Sequence, residues 1–132
     1  MKLLDTTLLV DFLRRREGAR RLVLAMEERG EPAGTTEVNA FELLLGAYPR
    51  GRLDPKRLAP VEKLLNRLEV LPLTRPASMQ AAEILSKLRA EGRDIGLLDA
   101  LIAGVAIASG CDTIVTHDEG FRRISGLKVE TY

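Results

Sequence analysis

The sequence predicts an α/β fold: a mainly parallel sheet of four or five short strands with helices on both faces. Three observations predict it. Short apolar runs alternate along the chain with longer stretches of helical periodicity. One segment, Leu97 to Ala108, is apolar at nearly every position and rich in small residues, the pattern of a helix enclosed by its neighbours. With 132 residues, 45% hydrophobic and 30% charged, the chain is sized for a single domain over 1–132 with its own core.

The elements follow in order. Leu3-Leu4 is a short strand ending at Asp5, after which Leu8, Leu9, Phe12 and Leu13 recur at helical spacing up to Arg14-Arg15-Arg16. A second helix fits Ala19 to Arg29 on the stripe Leu22, Val23 and Met26, and Gly30 and Pro32 break it. A strand falls around Ala33. Thr35 or Thr36 then caps a helix reaching Tyr48, ended by Pro49 and Gly51, and Asp54-Pro55 opens another that reaches Leu68. Val70 to Leu73 reads as a strand, Pro76 to Glu91 as a helix carrying Ala82, Leu85 and Leu88, and Glu91-Gly92-Arg93 as a loop. Beyond the apolar helix, Gly110 precedes a strand over Thr113 to Thr116, a helical turn over Glu119 to Ile124 and an edge strand over Leu127 to Glu130.

Composition excludes several chemistries. Twenty Lys and Arg against nineteen Asp and Glu leave a formal charge of +1, so any case for a nucleic-acid partner has to be local. One cysteine, Cys111, allows neither an internal disulfide nor a cysteine zinc site and suits a reducing, cytoplasmic setting. One histidine, His117, excludes the two-histidine helical zinc motif, and no Gly-x-Ser-x-Gly elbow is present. Acidic residues at 5 and 11 interrupt the first apolar positions, and the longest apolar stretch, Ala100 to Ala108, is too short for a bilayer, so no membrane association is expected.

Four carboxylates stand in apolar settings. Asp5 directly follows the first strand, and Asp118 lies just beyond the strand ending in Val115-Thr116, where each also reads as an ordinary cap or turn residue. Glu42 occupies the i+4 position of a stripe formed by Val38, Phe41 and Leu45, where an apolar residue is expected; a position at the rim of a narrow stripe would also account for it. Asp99 is the only charge between Leu97 and Ala108, in a first turn that the helix dipole makes hospitable to an acid. A single site unifies all four. Carboxylates about 4 Å apart repel by roughly 4 kcal/mol per pair at an effective dielectric of about 20, so such a cluster calls for cations. An all-oxygen donor set indicates Mg²⁺ or Mn²⁺, which can activate water and support in-line displacement at a phosphodiester.

At these residues the chain resembles the PIN-domain ribonucleases, and among them the VapC-type toxins of toxin-antitoxin pairs. The matching stretches are Leu3-Leu4-Asp5-Thr6-Thr7-Leu8-Leu9-Val10-Asp11, Glu42-Leu43-Leu44-Leu45-Gly46, Asp99-Ala100-Leu101-Ile102-Ala103, and Val115-Thr116-His117-Asp118 followed by Phe121. The resemblance implies a PIN-like three-layer α/β/α fold and a Mg²⁺- or Mn²⁺-dependent endoribonuclease binding one or two ions. It implies that Asp5, Glu42, Asp99 and Asp118 form the acidic site, that Asp5 and Asp99 ligate metal directly, and that Thr116 and Thr6 stand behind them. It also implies an RNA substrate, a small antitoxin that inserts a segment into the groove, and a homodimer. The chain departs from many relatives at Thr7, where they carry Asn, which puts that side chain's support of Asp5 in question. Asp11 reads as a surface helix residue and Asp94 as a turn residue near the rim.

Three alternatives remain beside this one, among them a receiver-like phosphoacceptor domain, which would want paired acidic residues at the first strand and a late Lys, for which Lys128 is poorly placed. A phosphatase with an Asp nucleophile after its first strand wants a second Asp where Thr7 stands. A catalytically inactive PIN-like module would bind RNA or protein without cleaving. Arginines outnumber lysines fifteen to five, and Arg14 to Arg16, Arg20-Arg21, Arg50, Arg52 and Arg122-Arg123 are candidate phosphate contacts or simply solvated helix ends.

Overall fold

The computed structural model describes residues 1–132. Five strands, β1 (Lys2–Leu4), β2 (Ala33–Thr36), β3 (Glu69–Leu71), β4 (Thr113–Val115) and β5 (Lys128–Glu130), alternate with six helices. These are α1 (Thr6–Leu13), α2 (Glu17–Glu28), α3 (Glu37–Leu45), α4 (Pro55–Leu65), α5 (Arg75–Ala90) and α6 (Leu97–Ala108), with 3-10 turns at Pro49–Gly51 and Glu119–Arg123. The strands lie in the order β3-β2-β1-β4-β5, and every neighbouring pair is parallel.

The pleat divides the apolar residues between two cores, because successive side chains of a strand point to opposite faces. Leu3 and Ile114 enter a cluster of 17 buried residues with Leu85 and Leu88 of α5, Ile102 and Val105 of α6, and Phe121. Leu4 and Val115 enter a cluster of 9 on the other face, with Leu8, Leu9, Ala19, Met26, Leu43, Val61 and Leu64. The result is a three-layer α/β/α fold. No helix is long and apolar enough to cross a membrane.

Two expectations change. The residues predicted as one apolar stripe on α3 diverge: Val38 is buried, whereas Phe41 is 51% and Leu45 59% exposed. The buried positions are Val38, Asn39, Ala40 and Leu43, so the helix is rotated from the predicted face and its inward side includes an amide. The apolar helix α6 is enclosed only from Ala100 onward, and Leu97 in its first turn is 62% exposed. Because α6 feeds the start of a parallel strand, its own first turn stands at the opposite edge of the sheet, where the strands end. The enclosed part packs on α5 through Gly104, where a Cβ would lie 2.4 Å from the Ala77 carbonyl oxygen.

Strand order also fixes where a site can form. The chain goes from β1 outward to β2 and β3, then returns to place β4 on the other side of β1. Connections leaving β1 and β4 therefore diverge, opening a crevice at their carboxyl ends. Asp5 directly follows β1, and Asp118 lies three residues beyond the end of β4.

Candidate active site

Asp5 occupies the N-cap position of α1 but makes no capping hydrogen bond with its side chain. The carboxylate turns into the crevice instead, 4% exposed. Its Oδ1 accepts from Asn39 Nδ2 at 3.1 Å, and its Oδ2 accepts from the Thr116 hydroxyl at 2.6 Å and from the Thr7 hydroxyl at 3.4 Å. Burial raises its pKa above the usual carboxylate value, and the Thr116 and Asn39 donors oppose that rise. Thr7 therefore reaches Asp5 without being Asn, at a length that makes it the weakest of the three donors.

Asn39 is the side chain that sequence reasoning missed. It is fully buried, and it is the third residue of α3 in a reciprocal cap: its backbone N–H donates to Thr36 Oγ1 while its Oδ1 accepts from the Thr36 N–H. Its Nδ2 donates both to Asp5 and to Thr6 Oγ1, the latter at 2.9 Å. The Thr6 hydroxyl in turn donates to Glu42 Oε1 at 2.8 Å. A Thr-x-x-Asn pattern at a helix start was the available signal, since a polar residue three positions after the cap commonly reaches back to it. The same helix face then carries Glu42 one turn further on. Burial raises the Glu42 pKa, with the nearby Asp5 charge adding to it.

Thr116 joins the two strand ends. While donating to Asp5, its Oγ1 accepts from the Asp118 backbone N–H at 2.9 Å. Asp118 also caps the 3-10 turn, its Oδ1 accepting from the Gly120 N–H at 2.8 Å, so the cap reading and the site reading hold together. Across the crevice, Asp99 shares a cleft of about 390 Å³ with Asp118, Asp94 and Arg123. No neutral side-chain donor holds Asp99, whose one side-chain partner is the Asp118 carboxyl. Burial, then the charge and hydrogen bond of Asp118, with smaller contributions from Asp5 and Glu42, push its pKa up to about 7.

The crevice thus gathers Asp5, Glu42, Asp99 and Asp118 at one edge of the sheet. None of the four is in an ion pair with a lysine, arginine or histidine. As the side chains are placed, no three His, Cys, Asp or Glu residues converge closely enough to hold an ion. The donor chemistry nonetheless fits a hard divalent cation: oxygen-only ligands, uncompensated charge and an upward-shifted Asp99. Asp94 lines the rim, where it pairs with Arg89. Asp11 is not a free surface residue, because Tyr132 donates its hydroxyl to Asp11 Oδ2 at 2.7 Å while its ring stacks on His117 at 3.7 Å. The arginines at 14 to 16, 20, 21, 50, 52, 122 and 123 are all exposed, and of these only Arg123 lines the acidic cleft.

Comparison with known proteins gives the family. The family described as "PIN domain" matches residues 2–127. Ribonuclease VapC19 of Mycobacterium tuberculosis is 30% identical over 128 residues, covering 97% of this chain and 98% of that protein. The tRNA(fMet)-specific endonuclease VapC of Shigella flexneri is 29% identical over 97 residues, 74% of this chain and 73% of that one. Among solved structures, DNA-bound VapBC from Salmonella typhimurium superposes with a TM-score of 0.85 at 27% identity, covering 98% of this chain and 96% of that chain. This chain belongs to the PIN-domain family and closely resembles the VapC-family toxins of VapBC toxin-antitoxin systems.

Proposed function

We propose that residues 1–132 form one catalytic PIN domain, a Mg²⁺- or Mn²⁺-dependent endoribonuclease that hydrolyses RNA phosphodiester bonds as the toxin of a VapBC pair. The observation that carries the reading is four carboxylates without a cationic partner at the β1–β4 crevice of a chain matched to the PIN family over 2–127. Asp5 and Asp99 would hold the ion, with Asp118 and Glu42 completing the set. A bound ion would supply an activated water and offset charge on the phosphodiester.

The chain's own residues supply the rest. Asn39 and Thr116 hold the Asp5 oxygens by neutral donors, so Asp5 is oriented before any ligand arrives. Thr6 orients Glu42 through Oε1 and leaves Oε2 free to accept a proton from the attacking water. Asp118, fixed by the Gly120 N–H, faces the same cleft as Asp99 and closes its far side.

Incubation of RNA with the protein and Mg²⁺ tests this reading. Cleavage is expected, with a loss of on the order of 100-fold or more in Asp5→Asn and Asp99→Asn and full arrest by EDTA. Undiminished cleavage by either variant overturns the assignment of that residue.

A small antitoxin and a second copy of the chain are the proposed partners, and the cytoplasm the proposed setting. Beside Glu42, α3 and the segment after it expose Phe41, Leu45, Tyr48 and Leu53, an apolar surface suited to a protein partner. A second reading, an inactive RNA- or protein-binding module, draws on the absence of any three convergent ligands. Calorimetric titration with Mn²⁺ separates the two: binding supports the enzyme, and none supports the module.

A further inference from the structure

Arg123 stands on a wall shared by two clefts. One is the acidic cleft with Asp99 and Asp118. The other, about 340 Å³, lies between α5 and residues 123–126, with Lys87 and Ser125 on its walls and Ile84, Leu88 and Ile124 among its apolar lining. That volume falls in the range of small-ligand sites, about 300–1,000 Å³.

The charges around the second cleft are unequally matched. Glu91 is paired with Arg93 at 3.6 Å. Neither Lys87 nor Arg123 has a carboxylate within ion-pair distance, and Glu83 is the one acid on this wall without a cation. Arg123 is held all the same: its Nη1 donates to the Asp94 carbonyl oxygen at 2.7 Å. That bond occupies one of five N–H donors and tethers an exposed guanidinium beside carboxylates that do not neutralise it. A guanidinium with a free donor edge is matched in geometry to a phosphate.

We infer that the RNA strand leaves the acidic cleft across Arg123 and lays the adjoining nucleotide in the cleft between α5 and residues 123–126. In this arrangement Arg123 binds the phosphate next to the scissile one, Lys87 lies along the continuing backbone, and the isoleucine and leucine side chains receive ribose and base. The cleft has no aromatic side chain, so it offers apolar contact without stacking and discriminates little among bases. The inference rests on the ribonuclease reading and adds to it a path for the substrate.

The test uses the whole protein. Binding of a fluorescent single-stranded RNA is followed by anisotropy in EDTA at several salt concentrations, and cleavage is followed with Mg²⁺. Arg123→Met is expected to raise Kd about tenfold and to lower the salt slope by about 0.7, the value for one single-strand phosphate contact. Lys87→Met is expected to weaken binding about threefold with a smaller change in slope. KM rises in both while kcat changes less, the mark of lost substrate binding. Arg123→Lys keeps the charge and is expected to retain the slope while losing part of the affinity. Lys56→Met, on α4, is the control for removal of one positive charge, and thermal melts confirm that each variant is folded.

Arg123→Met and Lys87→Met behaving like Lys56→Met in both assays overturns the inference. If the wild type neither binds nor cleaves RNA, the ribonuclease reading itself fails. A cleaving wild type with unaffected variants removes only the proposed path.

Discussion

The two walls of the acidic crevice are built on different principles. On the wall of β1 and α3, Asp5 and Glu42 are held by neutral donors: Asn39, Thr116, Thr7 and Thr6. On the facing wall, Asp99 sits in the first turn of α6 against the Asp118 carboxyl rather than a neutral donor, and its pKa is pushed up to about 7. One wall is ordered in advance by the fold, and the other is electrostatically stressed. The contrast teaches where stability and function part company. Removing a donor from the ordered wall damages the fold, whereas removing charge from the stressed wall relieves it.

Asn39→Leu probes the ordered wall most severely. It leaves Asp5 and the Thr36 cap short of a partner in a fully buried position, and about 1–3 kcal/mol of stability should be lost, read from urea unfolding. An unchanged midpoint would mean that the amide network does not order this wall. Thr116→Val keeps the shape and removes the 2.6 Å donor to Asp5 as well as the acceptor for the Asp118 N–H. A loss of about 1 kcal/mol and weaker Mn²⁺ binding are expected, and unaltered metal affinity would separate Thr116 from the site.

The smallest effect has the opposite sign. In the folded, metal-free chain Asp99 titrates at about 7, against roughly 3.9 when unfolded. Between those values the folded state binds more protons, so stability contributed by the protonated acid is full below about pH 4 and is lost as pH rises toward 7. Melting temperature in EDTA should therefore fall across that window. Asp99→Asn should flatten the fall and stabilise the protein at pH 8 by about 1 kcal/mol or less, solvent screening at this half-buried carboxylate reducing the gain. Equal pH profiles for wild type and variant would show that the facing wall is not stressed.

Most of the fold was legible locally. Each strand and helix was read from periodicity and caps, because Thr36, Asp54-Pro55 and the run from Leu97 act over a few residues. The stripe on α3 was misread for a tertiary reason. Phe41 and Leu45 look inward by composition, yet the helix is turned so that Asn39 and Leu43 face in, and the rotation is set by what Asp5 and the core on that face present. Asn39 was overlooked because an amide on a helix reads as a surface residue until its partners, 33 and 34 residues earlier in the chain, are known.

By itself the sequence determined that short strands would alternate with helices, and it marked four carboxylates within apolar stretches of chain, since both follow from local pattern. The tertiary structure decided which of them stand together. Only the strand order β3-β2-β1-β4-β5 places the ends of β1 and β4 side by side, because connections diverging from two neighbouring parallel strands leave a crevice that no local pattern encodes. It also decided that Thr116, 111 residues from Asp5, would fix that carboxylate, and that Arg123 would line the acidic cleft, tethered through a backbone carbonyl rather than a charge.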